Sequence, residues 1–172
     1  MNPQGLKTLV RRKFYPMQQQ DSHEFLMHII SSLQDETTPL NRVKFDGEVS
    51  DLNCTRTSID INRQYFESNP SIIDSTFIGI EKNIVECANC KYQSVTYKPY
   101  SVMSLELTDS LENSISEYFQ TKSLGKGNEY RCEKCEEKSE AKVIEEILSL
   151  PNILVFHLKR FDSRGKKKHD IV

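Results

Sequence analysis

Cys87-Ala88-Asn89-Cys90 and Cys132-Glu133-Lys134-Cys135 are the stretches on which the reading of this chain turns. Two thiolates separated by two residues can grip one metal ion from a tight turn. Two such turns supply the four sulfurs of a closed tetrahedral Zn²⁺ site. Roughly forty residues separate the pairs, more than in a compact ribbon, so each turn is expected at the tip of its own hairpin. A redox pair is the competing use of this spacing, but redox pairs do not come as two matched turns in a strand-rich region. Four sulfurs leave no position for water, so the predicted Zn²⁺ is structural. Any chemistry has to be sought elsewhere.

The rest of the composition narrows the class. The 172 residues allow one or two domains with a sizeable core. With 23 Lys and Arg against 25 Asp and Glu, the formal charge is −2. That argues against a dedicated nucleic-acid or membrane-surface protein, whose affinity rests on a large basic excess. The acidic residues Glu133, Glu136 and Glu137 beside the second turn also disfavour a nucleic-acid-binding ribbon. The basic run Arg164 to Lys168 reads as a solvated loop. No apolar stretch approaches the length of a membrane span, and the N-terminus has no signal-peptide pattern. Four cysteines in metal spacing and one spare, Cys54, suit a reducing compartment, the cytosol or the nucleus.

Along the chain, Leu26, Ile29, Ile30 and Leu33 form a helical stripe after the Pro16 break. Asp21 with Glu24 three residues later predicts a capping box, Glu24 reaching back to the Asp21 N–H, and Thr37-Thr38-Pro39 ends the helix. From Asn41 to Pro70 periodicity is weak and polar residues dominate, which predicts a long loop or insert. Phe77, Ile78, Ile80, Ile84 and Val85 predict a strand into the first cysteine turn. Val95, Tyr97 and Val102 to Leu107 predict strands out of it. Asp109-Ser110-Leu111-Glu112 opens a short helix, broken at Gly125 and Gly127. Val143, Ile144, Ile147 and Leu148 have helical spacing, although a strand would pair naturally with the hairpin. Ile153 to Leu158 is an apolar run of strand length, expected in the middle of a sheet. The class is α+β.

Three stretches then resemble the ubiquitin-specific protease family, papain-like cysteine deubiquitinases shaped as thumb, fingers and palm. Gln19-Gln20-Asp21-Ser22-His23-Glu24-Phe25-Leu26 resembles the QQD helix of the thumb. The two cysteine turns are similar to the zinc ribbon at the tip of the fingers. Leu150-Pro151-Asn152-Ile153-Leu154-Val155-Phe156-His157-Leu158-Lys159-Arg160-Phe161 is similar to the strand that runs from fingers to palm. The resemblance covers about Pro3 to Phe161 and implies a thumb-like segment (1–40), a polar insert (41–70), zinc-ribbon fingers (71–149) and the start of the palm with a basic tail (150–172).

The resemblance also implies function. Such an enzyme binds ubiquitin or ubiquitinated proteins and hydrolyses the thioester, isopeptide or peptide bond at ubiquitin's C-terminal glycine. The residues matching Asp21 and Glu24 face the channel for ubiquitin's arginine-bearing tail, a role compatible with helix capping. Phe161 matches a position whose ring touches ubiquitin's globular body; simple core packing is its alternative use. Lys159 and Arg160 read as structural. The family's cysteine box would precede Met1 and its histidine box would follow Val172. Cys54 has no basic neighbour or helix N-terminus to activate it. His157 reads as a satisfied sheet histidine, His23 and His28 as facing solvent or loops, and His169 as part of the basic tail. No catalytic residue is therefore expected in this chain, which by itself is expected to be inactive. The alternative to a deubiquitinase segment is a non-catalytic scaffold that holds ubiquitin without cutting.

Overall fold

The computed structural model describes residues 10–11, 13–15, 20–38, 45, 48–49, 55–69, 71–125, 127–161 and 166–168. Helix α1 (Ser22–Thr37) starts where Asp21, in extended backbone, accepts from the N–H groups of His23 and Glu24. It stops where its last carbonyls find other donors. The Thr37 hydroxyl donates to Leu33 O (2.7 Å), and the Thr38 hydroxyl and backbone N–H both donate to Gln34 O. The short strand β1 (Glu48–Val49) and helix α2 (Thr55–Ser68) follow. Helix α3 (Ile72–Phe77) is capped by Ser71, whose hydroxyl accepts from the Ile73 N–H.

Next come β2 (Gly79–Cys87), β3 (Gln93–Tyr100) and β4 (Met103–Glu106), then α4 (Leu111–Tyr118), capped by Ser110. Strands β5 (Lys122–Leu124), β6 (Tyr130–Arg131), β7 (Lys138–Ser139), β8 (Ala141–Ser149) and β9 (Phe156–Lys159) complete the order. The main sheet runs β1-β3-β2-β8-β5. Both neighbours of β2 are antiparallel to it: Gly79 lies opposite Tyr100 on β3, and Cys87 lies opposite Ala141 on β8. A second sheet pairs β4 with β9 in parallel, Met103 opposite Phe156. Strands β6 and β7 form a small hairpin of their own.

The main core lies between α2 and the sheet. Ile61 and Tyr65, one helical turn apart, sit on Ile78, Ile80, Ile84, Val95 and Tyr97, with Ile144 and Leu148 of β8 at the margin. Ile80 is fully buried; a side chain of that kind contributes about 1.5–3 kcal/mol. Below the core, buried Asp74 joins three helices. Its Oδ1 accepts from the Tyr65 hydroxyl (2.8 Å) and from Gln34 Nε2 (3.0 Å).

The cysteine-tipped hairpins and the α+β class are as expected from sequence, and four local readings are corrected. The stretch 41–70 contains helix α2, because Ile61, Tyr65 and Phe66 supply a narrow apolar stripe on an otherwise polar helix. Residues 141–149 are a strand: Ile144 and Leu148 are four apart, which keeps them on one side under either a helical or a strand period, and β2 supplies the ladder. Phe77 closes α3, and the strand begins only at Gly79. The run after Pro151 is a strand only over Phe156–Lys159 and joins the two-stranded sheet instead of the middle of a large one. Ile153 is half-exposed, tied instead to α3 through its N–H on Thr76 O (2.8 Å).

Gly79 marks the tightest approach. A Cβ there would lie 2.6 Å from Ser149 O and 2.7 Å from the Tyr100 ring. The backbone oxygen cannot swing aside. Gly79→Ala is expected to lower unfolding free energy by about 1–3 kcal/mol, whereas Ile72→Ala, at a 67% exposed position, should change it by no more than about 0.5 kcal/mol. Urea unfolding followed by circular dichroism measures both, and equal effects would contradict this packing.

Candidate metal centre and the N-terminus of helix α1

The two cysteine turns are built alike. In the first, Cys87 N–H donates to Tyr92 O (2.9 Å); in the second, Cys132 N–H donates to Glu137 O (3.0 Å). The residue after each second cysteine is left-handed, Lys91 at φ 57° and Glu136 at φ 56°. Such backbone costs a non-glycine residue about 1–2 kcal/mol, and here it turns N–H groups onto sulfur. Cys87 Sγ receives those of Cys90 and Asn89, Cys90 Sγ that of Tyr92, and Cys135 Sγ that of Glu137.

The sheet brings the turns together. Because β8 starts opposite Cys87, and Ala88 N–H donates to Glu140 O (2.9 Å), the β6–β7 hairpin is held against the β2–β3 tip. Cys87 Sγ lies 3.9 Å from Cys135 Sγ, and Cys90 Sγ lies 3.5 Å from Cys132 Sγ. All four sulfurs fall within 4.8 Å of one another. A tetrahedral ion with bonds of about 2.3 Å would set its sulfurs about 3.8 Å apart, so the residues fit a metal. Cys87 and Cys132 are fully buried, and Ser139 Oγ stands 3.1 Å from Cys87 Sγ. Among the described residues, this is the set of His, Cys, Asp and Glu side chains close enough to hold an ion.

Electrostatics favours the same use. The Cys90 N–H, with the Ser139 hydroxyl, lowers the Cys87 thiol to about 6. Cys135 is pushed up to about 12: the Glu137 N–H opposes the rise, but burial and the three neighbouring sulfurs produce it. Cys90 is raised too, against the Tyr92 N–H, by burial and by Cys132 and Cys87. One thiolate forms readily and its neighbours resist joining it. A dication relieves that repulsion.

The other residues singled out from sequence gather between α1 and the β4–β9 sheet. Asp21 Oδ1 accepts from His23 N (2.7 Å) and Glu24 N (3.3 Å), which holds its carboxyl below the ordinary value, the His23 N–H first. The reciprocal half of the capping box is replaced: the Glu24 carboxylate pairs with Lys13 Nζ at 3.5 Å, both about half-exposed. His23 does not face solvent alone. Its ring stacks on that of His157, centroids 4.2 Å apart, and His157 Nδ1 lies 3.2 Å from Ser104 Oγ. Burial, then His23, lowers the His157 pKa, with Lys159 acting the same way and Asp21 opposing. Nothing in one sequence signals this contact, because its partners lie far apart in the chain. His28 packs against Phe14, centroids 5.6 Å apart. Lys159 pairs with Glu106 at 2.8 Å across β4 and β9. Phe161 is 58% exposed, which corrects the core-packing alternative. Cys54 and His169 lie outside the described residues, as does Gln19, the first residue of the QQD stretch.

Comparison with known proteins bears on the family and the fold. Residues 1–172 match the family described as Ubiquitin carboxyl-terminal hydrolase. Ubiquitin carboxyl-terminal hydrolase 25 of Arabidopsis thaliana is 31% identical over 145 residues, covering 83% of this chain and 20% of that protein. Probable ubiquitin carboxyl-terminal hydrolase 16 of Schizosaccharomyces pombe is 26% identical over 167 residues, covering 95% of this chain and 32% of that protein. The chain thus spans between a fifth and a third of the length of these relatives. In a solved structure of the SAGA DUB module with Ubp8, Sgf11, Sus1 and Sgf73, one chain superposes with a TM-score of 0.66 at 24% identity. That superposition covers 99% of this chain and 36% of the other, and it shows a shared fold. Among the described residues, no helix is long and apolar enough to cross a membrane. The chain belongs to the ubiquitin carboxyl-terminal hydrolase family.

Proposed function

We propose that this chain is the ubiquitin-gripping part of a deubiquitinase, with its fingertip closed by structural Zn²⁺. The observation that carries the reading is the family match through all 172 residues, joined to four sulfurs at tetrahedral spacing. Zinc suits an all-sulfur set, since it is borderline-soft and accepts tetrahedral geometry without a redox step. Cys87, Cys90, Cys132 and Cys135 hold it, and no position is left for a reacting water. Residues 71–149 serve as fingers, 150–172 begin the palm, and 1–40 contribute the thumb-like helix. The segment 41–70, through α2, braces one face of the finger sheet.

Asp21 and Glu24 face ubiquitin's basic tail. Both carboxylates lie at an exposed helix start, and a guanidinium can displace the weak Glu24–Lys13 pair at little cost. Phe161, exposed beyond the end of β9, offers its ring to ubiquitin's body. In the complete enzyme this grip presents the bond after ubiquitin's C-terminal glycine to a thiolate supplied from outside these residues. The polypeptide by itself does not hydrolyse that bond. Turnover of a ubiquitin–fluorophore conjugate, abolished by Cys54→Ala, would overturn that last statement.

Two measurements test the grip and its metal. The metal-stripped chain should take up one Zn²⁺ per molecule by atomic absorption, with Cys132→Ser losing that uptake. Because all four thiols must deprotonate, affinity should fall as pH falls, and chelation should unfold the fingers before α1. Uptake unaffected by Cys132→Ser would rule out the site. Separately, Asp21→Asn should weaken ubiquitin binding in calorimetry by about 1.5–3 kcal/mol, the range of a hydrogen bond to a charged group. A ubiquitin lacking its tail arginines should bind both forms alike.

A further inference from the structure

His23 and His157 belong to different elements, yet their ring planes lie within 5° of each other at a centroid distance of 4.2 Å. His23 is in the first turn of α1 and donates its N–H to Asp21. His157 lies on β9, opposite Ser104 of β4. The Ser104 hydroxyl, 3.2 Å from Nδ1, fixes the plane of the His157 ring and gives the His23 ring a set platform. Beyond β9 the chain passes through Arg160 to Phe161. The stack therefore ties the residue that caps α1 to the strand that leads into Phe161. A metal site is a poor account of it. Parallel rings do not aim their in-plane nitrogens at one point, and this cluster does not bring three ligand atoms together as the cysteines do.

We propose that the stacked imidazoles of His23 and His157 form a positioning joint that sets Asp21 at a fixed place relative to Phe161, and that the joint opens when both rings are protonated. The inference rests on the reading that Asp21 and Phe161 contact ubiquitin. Two neutral rings, or one neutral and one charged, stack favourably; two imidazolium ions at this distance repel. Among the described residues, three charged groups bear on the pair or on its neighbours. Asp21 on α1 favours the charged form of His157, Lys159 on β9 disfavours it, and Glu106 on β4 is engaged with Lys159. Burial and His23 hold His157 below its ordinary 6.5. With the folded value lowered, the joint's contribution is complete above that pH and is lost as pH falls below it.

The test uses the whole chain and two readouts. Ubiquitin affinity is measured at about pH 7.5 and about pH 5.5, on either side of the imidazole range, for the natural sequence and for the double variant His23→Phe/His157→Phe. Phenyl rings can stack and do not titrate. Kd should rise about tenfold across this interval in the natural chain, and the ratio should fall toward one in the variant. A ratio of one in the natural chain, or an unchanged ratio in the variant, overturns the joint. In parallel, the imidazole protons are titrated by NMR with no ubiquitin present. Mutually dependent titration, with His157 moving upward on His23→Phe, supports the joint; independent titration at ordinary values overturns it. If the natural chain binds no ubiquitin at about pH 7.5, the reading of Asp21 and Phe161 has failed, and the NMR arm alone decides whether the joint exists.

Discussion

The antiparallel ladder between β2 and β8, running from Ile80 opposite Ser149 to Cys87 opposite Ala141, is the contact on which the other features depend. At one end it places Ile144 and Leu148 beside Ile80 and Ile84 under α2. At the other it delivers the second cysteine turn to the first. A slip of one residue would reverse the facing of every side chain on β8. It would move Ile144 and Leu148 off the core and carry Cys132 and Cys135 of the β6–β7 hairpin away from Cys87 and Cys90. Core and metal site thus impose the same register from opposite ends.

The two ends are stabilised by different physics. Apolar burial is concentrated where α2 covers the sheet, and it fades toward the tip. Past Ile84 and Val95, the buried groups near the tip are Cys87, Cys132, Ser139 and Ala141. These are small side chains that cannot make a core. Surface ion pairs do not make up the difference, because Lys82–Glu146 and Lys122–Glu145 are partly exposed pairs of a kind worth about 0–1 kcal/mol. Four sulfurs close enough to share one ion stand where the chain is too narrow to bury enough apolar area, and a metal held there would supply the missing stabilisation.

Much of this was legible in the sequence, for identifiable reasons. Short-range signals survived: Asp21 as a cap, the turn spacing of the cysteines, and Ser110 opening α4. Signals decided by distant partners did not. Ile144 and Leu148 satisfy two periods at once, and only β2 chooses between them. Helix α2 shows one narrow apolar stripe amid polar residues, so its helical character emerges only against the sheet. Glu24 was legible as the second half of a capping box, but Lys13 competes for its carboxylate. The family's motif residues could be located by pattern alone, whereas the His23–His157 stack is made by the fold.

The left-handed residues Lys91 and Glu136 sit in two turns that are each closed locally. Each turn closes through its own local hydrogen bond between residues five apart, Cys87 to Tyr92 and Cys132 to Glu137. An ion captured by one such turn would be a tether for the other. Joining the halves closes a loop of roughly forty residues, an entropic cost that grows only slowly with length. A longer connection between the turns would therefore add little to the cost of bringing the four sulfurs together.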